Sequence, residues 1–151
     1  MDLNITDIVA LNTFGKQLGE ALQGGECLTL SGDVGAGKTT LVKAIADGMG
    51  VEETVSSPSY TLSQVYTAPS GLRLAHYDFY RLDDPGILKN ELMETVHDQR
   101  TVTAVEWSQI VASVLPTDCL EIHIHPLSLN ERKLTLVGNG TKSKAVLERL
   151  Q

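Results

Sequence analysis

No stretch of this chain approaches the roughly 20 consecutive apolar residues of a membrane helix, so a membrane span is not expected. Cysteine is scarce. Cys27 and Cys119 lie far apart and show no metal-ligand spacing, so buried free thiols in a reducing cytoplasm are expected. Lysine and arginine total 12 against 19 aspartates and glutamates, for a net charge of −7. The basic residues form no cluster, which argues against a surface that grips a phosphate backbone directly. If the chain serves a nucleic acid, a partner is expected to hold it. The opening M-D-L-N-I-T-D lacks a basic region followed by a long apolar run, so no secretory leader is expected. Repeats, low-complexity tracts and linkers are also missing. The 151 residues then read as one domain, 1–151, with the 42% apolar content of an ordinary globule.

What is present alternates between helix and strand patterns. Ile5, Ile8, Leu11, Phe14, Leu18 and Leu22 recur in steps of three and four, which predicts an amphipathic helix over 5–22, ended by Gly24-Gly25. Cys27–Leu30 reads as a short buried strand. Thr39–Met49 has helical periodicity. Strands are expected in Ser56–Tyr66, in Leu72–Tyr77 after the A-P-S-G turn, at Val102–Val105, at Leu120–His125 and at Arg132–Val137. Asp84-Pro85 opens a helical stretch to about His97, with Asp83-Asp84 as its N-cap, and a terminal helix covers Thr141–Gln151. The fold class is α/β, with a central sheet.

Between the first strand and its helix stands G-D-V-G-A-G-K-T-T, Gly32–Thr40. Gly32, Gly37, Lys38 and Thr39 match G-x-x-x-x-G-K-[ST]. The glycines let the backbone wrap a phosphate, and successive N–H groups at the helix start point at the anion. Lys38 is placed to reach the β- and γ-phosphates, and the Thr39 hydroxyl to meet Mg²⁺. A nucleotide hydrolase also needs a carboxylate near the metal and a group that orients water. Asp78 and Glu106 each end a predicted strand, and neighbouring strand ends line the same crevice as such a loop. Ser59 and Thr61 follow about 20 residues after the loop and could sense the terminal phosphate or form a plain turn. Trp107 is the only tryptophan and reads chiefly as core; His123 and His125 share a strand face and read as solvent-facing.

Four segments carry a family resemblance: G-D-V-G-A-G-K-T-T-L at Gly32–Leu41, S-P-S-Y-T-L at Ser57–Leu62, H-Y-D-F-Y-R-L at His76–Leu82, and Glu106-Trp107. The chain resembles the bacterial TsaE (YjeE-type) ATPases, which support threonylcarbamoyl modification of adenosine 37 in tRNA. The resemblance covers about residues 5–125. It implies a single P-loop NTPase-like domain, with a central mixed sheet, helices on both faces and an antiparallel edge. It implies ATP held by Val34, Gly35, Ala36, Gly37, Lys38, Thr39 and Thr40, with Ser59 in a switch-like segment. Mg²⁺ would be held by Thr39, with Asp78 in the Walker-B-like role and Glu106 as a metal or water-positioning carboxylate. It further implies a cytoplasmic ATPase, weak alone and stimulated by its partners. Those partners are a threonylcarbamoyl transferase subunit and its non-catalytic paralogue (TsaD- and TsaB-type), with tRNA contacted only through the complex. Hydrolysis would reset that complex.

The chain departs from the family at three places. Ser59 stands where a threonine is usual. Leu11 stands where a threonine of the first helix often approaches the nucleotide. Asn90–Val96 lacks a glycine common there. Three other readings compete. A small-molecule kinase would want an arginine-rich lid, but Arg73, Arg81 and Arg100 do not cluster in the sequence. A GTPase would carry N-K-x-D, which is absent. A non-catalytic, nucleotide-dependent docking module is the third.

Overall fold

A computed structural model describes residues 1–56, 62–80 and 82–151. The chain runs β1 (Asp2–Ile5), α1 (Ile8–Ala21), β2 (Cys27–Ser31), α2 (Lys38–Gly48), β3 (Ser63–Thr67) and β4 (Arg73–Asp78). It continues through α3 (Leu88–Thr95), β5 (Thr101–Glu106), a 3-10 helix at Ser108–Val114, β6 (Leu120–Pro126), β7 (Arg132–Gly138) and α4 (Thr141–Arg149). The strands form one sheet in the order β1-β7-β6-β2-β5-β4-β3. The four central strands are mutually parallel. Both edges are antiparallel: β3 on β4, and β7 with β1 beyond β6. The sequence pointed to one such edge; the sheet has two.

Strand alternation sends side chains to two cores. Leu28, Leu30, Leu74, Val102 and Ala104 face α1 and α2. Ala75, Tyr77 and Val105 face Leu92 and Val96, near the end of α3, and Val111 of the 3-10 helix. Helices therefore cover both faces, as expected. Fully buried Leu41 and Ile45 anchor α2; each contributes roughly 1.5–3 kcal/mol. No side-chain cap is needed at its start, and its N-cap Gly37 makes none. The first amides of α2 are thus left for another acceptor. Helix α1 fixes α2 from outside at very close range. A methyl group on Gly19 would meet the Ile45 carbonyl oxygen at 2.1 Å, and one on Gly48 the Lys16 carbonyl oxygen at 2.1 Å. Only glycine lets the two backbones approach this closely.

Two expectations are corrected. The first helix starts at Ile8, not residue 5, because Asp7 accepts a hydrogen bond from the Ala10 amide at 2.8 Å and caps it. Ile5 instead closes β1, paired with Arg132 of β7. The third helix starts at Leu88, not Asp84. Asp84 accepts from the Gly86 amide at 2.9 Å, and Gly86 takes φ +57°, so this aspartate closes a turn before the helix. The cysteines are buried and free, as expected, and although far apart in sequence they are close in space: Leu28 pairs with Leu120, which brings Cys27, at the start of β2, beside Cys119, just before β6.

Candidate phosphate site

Strand β2 delivers the chain into the glycine loop, and α2 takes it out. Gly32, Gly35 and Gly37 all have positive φ, at 152°, 82° and 112°. At Gly32 the requirement is also steric, since a methyl group there would lie 2.8 Å from the Ile124 carbonyl oxygen. Val34 and Gly35 are exposed, Ala36 is buried, and Thr39 and Thr40 are partly exposed on the first turn of α2. The Ala36 amide donates to the Asp33 carbonyl at 3.0 Å, which closes the turn. Lys38 opens α2 and folds back over the loop. Its ammonium donates to the carbonyls of Gly32 at 2.5 Å and Asp33 at 3.0 Å.

Sheet register brings the two carboxylates to this loop. Leu30 of β2 pairs with Glu106 of β5, and Glu106 pairs with Asp78 of β4. The strands are parallel, so their carboxyl ends stand in a row, one strand spacing of about 4.8 Å apart. Glu106 is 2% exposed and Asp78 8%. Burial raises the Asp78 pKa above its ordinary value. The Glu106 charge pushes the same way, while the Tyr80 amide, His76 and Lys38 pull against it. Asp78, Glu106, Lys38 and His76 therefore form one electrostatic cluster. His76 is fully buried two residues before Asp78, with Nε2 2.5 Å from Glu106 Oε2.

Two further residues meet the loop that sequence reading did not place there. Trp107 packs partly against the second core, as anticipated, but its ring also lies under the Lys38 ammonium, 4.6 Å away, and 4.9 Å from the Tyr80 ring. It takes φ +57°, one of two non-glycine residues with positive φ among those described. That conformation turns the chain directly after Glu106. Arg132, at the start of β7, donates from Nε to the Ala36 carbonyl at 2.7 Å and so braces the loop from behind.

Other expectations fall elsewhere. Ser59, with the switch-like segment Ser57–Thr61, lies outside the described residues, as does Arg81. Arg73 and Arg100 sit at the opposite end of β4 and β5. Arg73 is paired with Asp98, and Arg100 donates to the Ser70 carbonyl, so neither forms a lid over the loop. Leu11 is buried, in reach of a methyl group on Gly37, and offers no polar contact. His123 is half exposed, and its Nδ1 lies 2.5 Å from Ser31 Oγ. A cleft of about 510 Å³ is lined by Lys16, Lys43, Asp47 and Val55 on the α1–α2 side, and neither carboxylate lines it.

A strand, a glycine loop with a lysine, a helix and two acidic strand ends define a P-loop nucleotide-binding protein. The sequence profile of the family described as "Threonylcarbamoyl adenosine biosynthesis protein TsaE" matches residues 5–134. The chain belongs to the TsaE family. It is 37% identical to the tRNA threonylcarbamoyladenosine biosynthesis protein TsaE of Bacillus subtilis over 126 residues, 83% of this chain and 78% of the relative. With the protein of that name from Haemophilus influenzae it shares 33% over 148 residues, 95% of this chain and 92% of the relative. The crystal structure of Bacillus subtilis YdiB superposes with a TM-score of 0.80 at 30% identity, covering 99% of this chain and 93% of that one.

Proposed function

We propose that this single-domain chain binds ATP on Val34–Thr40 and hydrolyses it, slowly alone and faster with its partners, in support of threonylcarbamoyl modification of adenosine 37 in tRNA. The observation that carries this reading is the row formed by the glycine loop, Glu106 and Asp78 at the ends of adjacent parallel strands. The loop amides and the start of α2 suit a phosphate chain. Lys38 exchanges its loop carbonyls for the β- and γ-phosphate oxygens.

The donors here fit Mg²⁺. The Thr39 hydroxyl and the Asp78 and Glu106 carboxylates are hard oxygen ligands. Among the described residues, no group of three or more His, Cys, Asp or Glu is gathered to hold a metal ion. A Mg²⁺ ion that arrives with the phosphates takes only one or two carboxylates from a protein. When bound, Mg²⁺ neutralises charge on the phosphate oxygens. Glu106 orients the water that attacks the terminal phosphorus. The bond from that phosphorus to its bridging oxygen breaks, giving ADP and phosphate.

The partners are a threonylcarbamoyl transferase subunit and its non-catalytic paralogue, of the TsaD and TsaB types, in the cytoplasm. A net charge of −7 agrees with a chain that meets tRNA only through them. The energy of hydrolysis resets the complex between rounds. Among the described residues, no helix is long and apolar enough to cross a membrane.

The test is ATP turnover by the chain alone and with the purified transferase pair and tRNA, with modified adenosine scored in the same reactions. Turnover that rises with the pair, and repeated rounds of modification that need this chain, support the reading. Equal turnover alone, with modification indifferent to the chain, would sink it.

A further inference from the structure

We propose that His76 is a positioning residue: it holds the Glu106 carboxylate in the orientation from which that group orients water, and it does not contact the nucleotide. The inference rests on Glu106 acting as proposed above. His76 is 0% exposed and Glu106 2%. A carboxylate so deep needs a hydrogen-bonded partner. His76 Nε2, 2.5 Å from Glu106 Oε2, is the only side-chain partner of Glu106 among the described residues. A carboxylate only accepts, so Nε2 carries the proton and donates.

The strand register makes this contact possible. His76 pairs with Ala104 and Asp78 with Glu106, so His76 and Glu106 are diagonal neighbours on the same sheet face. The imidazole lies below the carboxylate, on the core side, and Asp78 lies beside it. With Oε2 held from below, Oε1 is the oxygen left for the site.

The second ring nitrogen strengthens the case. His76 Nδ1 is buried and has no hydrogen-bond partner among the described residues. An unpaired buried donor or acceptor is destabilising. As filler between Leu74 and Asp78, the imidazole is therefore a poor choice, and an apolar ring would pack there without that penalty. What the imidazole supplies, and an apolar ring does not, is the single bond to Glu106.

The experiment is a double-mutant cycle on partner-stimulated turnover, with ATP affinity from calorimetry. His76→Phe keeps ring volume and removes the donor. His76→Gln keeps a donor of similar reach. His76→Phe is expected to lower kcat at least about tenfold while the Kd for ATP stays within about twofold. His76→Gln is expected to restore most of the lost turnover. In a Glu106→Gln background, His76→Phe is expected to add nothing, because its effect runs through that carboxylate.

A full additional loss in that background, an equal loss of ATP affinity, or no rescue by glutamine overturns the inference and leaves the role of Glu106 standing. Glu106→Gln turning over like the wild type overturns both. Should His76→Phe not fold, His76→Asn takes its place, since its amide is too short to reach Glu106. It is then expected to bind ATP normally and turn it over poorly, and normal turnover overturns the inference.

Discussion

The Lys38 ammonium lies 4.6 Å from the centroid of the Trp107 ring. The contact joins the first residue of the loop helix to the residue after Glu106, and so spans the site from one strand end to the next. An ammonium over an indole face contributes roughly 0.5–2 kcal/mol. It also makes the only tryptophan a reporter of where Lys38 is. On the proposed function, phosphate binding draws the ammonium toward the ligand. ATP is therefore expected to change Trp107 emission in a saturable titration. Lys38→Ala is expected to abolish that change and to weaken ATP binding by about 10- to 100-fold or more in calorimetry, since charge-assisted bonds are lost. Unchanged affinity in this variant would remove Lys38 from the phosphate site.

Arg132 braces the loop from β7 through its bond to the Ala36 carbonyl. Its Nη1 also donates to the Asn130 carbonyl at 3.0 Å, which holds the guanidinium in place. Arg132→Met keeps the aliphatic stem and removes both bonds. The loop then loses its rear support while its own sequence is intact. ATP affinity is expected to fall by about five- to twentyfold, with a cost of about 1–3 kcal/mol in stability from the unpaired carbonyl of buried Ala36. Calorimetry and a urea melt check the two parts separately. A melt that moves without any loss of affinity would confine Arg132 to the fold.

Asp78 is the site group whose ionised form the fold disfavours. Burial raises its pKa, with a second push from Glu106. The sign follows directly. A carboxyl group with a raised folded pKa destabilises the native state above that value, and the cost fades as pH falls through it. Asp78→Asn removes the charge and keeps the shape. The variant is expected to melt at a higher temperature than the wild type at pH 7, with the gap closing toward pH 4, and to lose Mg²⁺-dependent turnover. A lower melting temperature at pH 7 would mean that the carboxylate supports the fold.

The loop was legible in the sequence because its physics is local. Glycine spacing, a lysine and a helix start act within nine residues. Asp78 and Glu106 were legible because each ends an apolar run, and register then made them neighbours. Trp107 was read as core because nothing in E-W signals a tryptophan at φ +57°. Arg132 gave no signal, because its contact crosses 96 residues of chain. The spacing of His76 and Asp78 puts both on one strand face, and that alternation was the available hint. Strand β1 was missed for a different reason. Four residues at an edge have no stability of their own and exist through their pairing with β7.

The start of α4 is also held at long range. Its N-cap residue is Gly140, which has no side chain to serve, and Asp118 takes over. Asp118 accepts from the amides of Lys142 at 2.8 Å and Ser143 at 3.1 Å, and from Ser143 Oγ at 2.6 Å. A methyl group on Gly140 would lie 2.4 Å from Asp118 Cγ, so glycine is what admits the carboxylate. Burial opposes ionisation here, but the bonds from the Ser143 hydroxyl and the two amides outweigh it and hold the pKa below its ordinary value. The stabilisation is then present above the unfolded value and lost as pH falls through the lower folded one. Asp118→Ala is expected to cost about 1–2 kcal/mol at pH 7, the range of a lost helix cap. The difference from wild type should shrink only below about pH 4. Denaturant melts at pH 7 and pH 3 measure it. A gap that is the same at both would assign the loss to packing rather than to the charged cap.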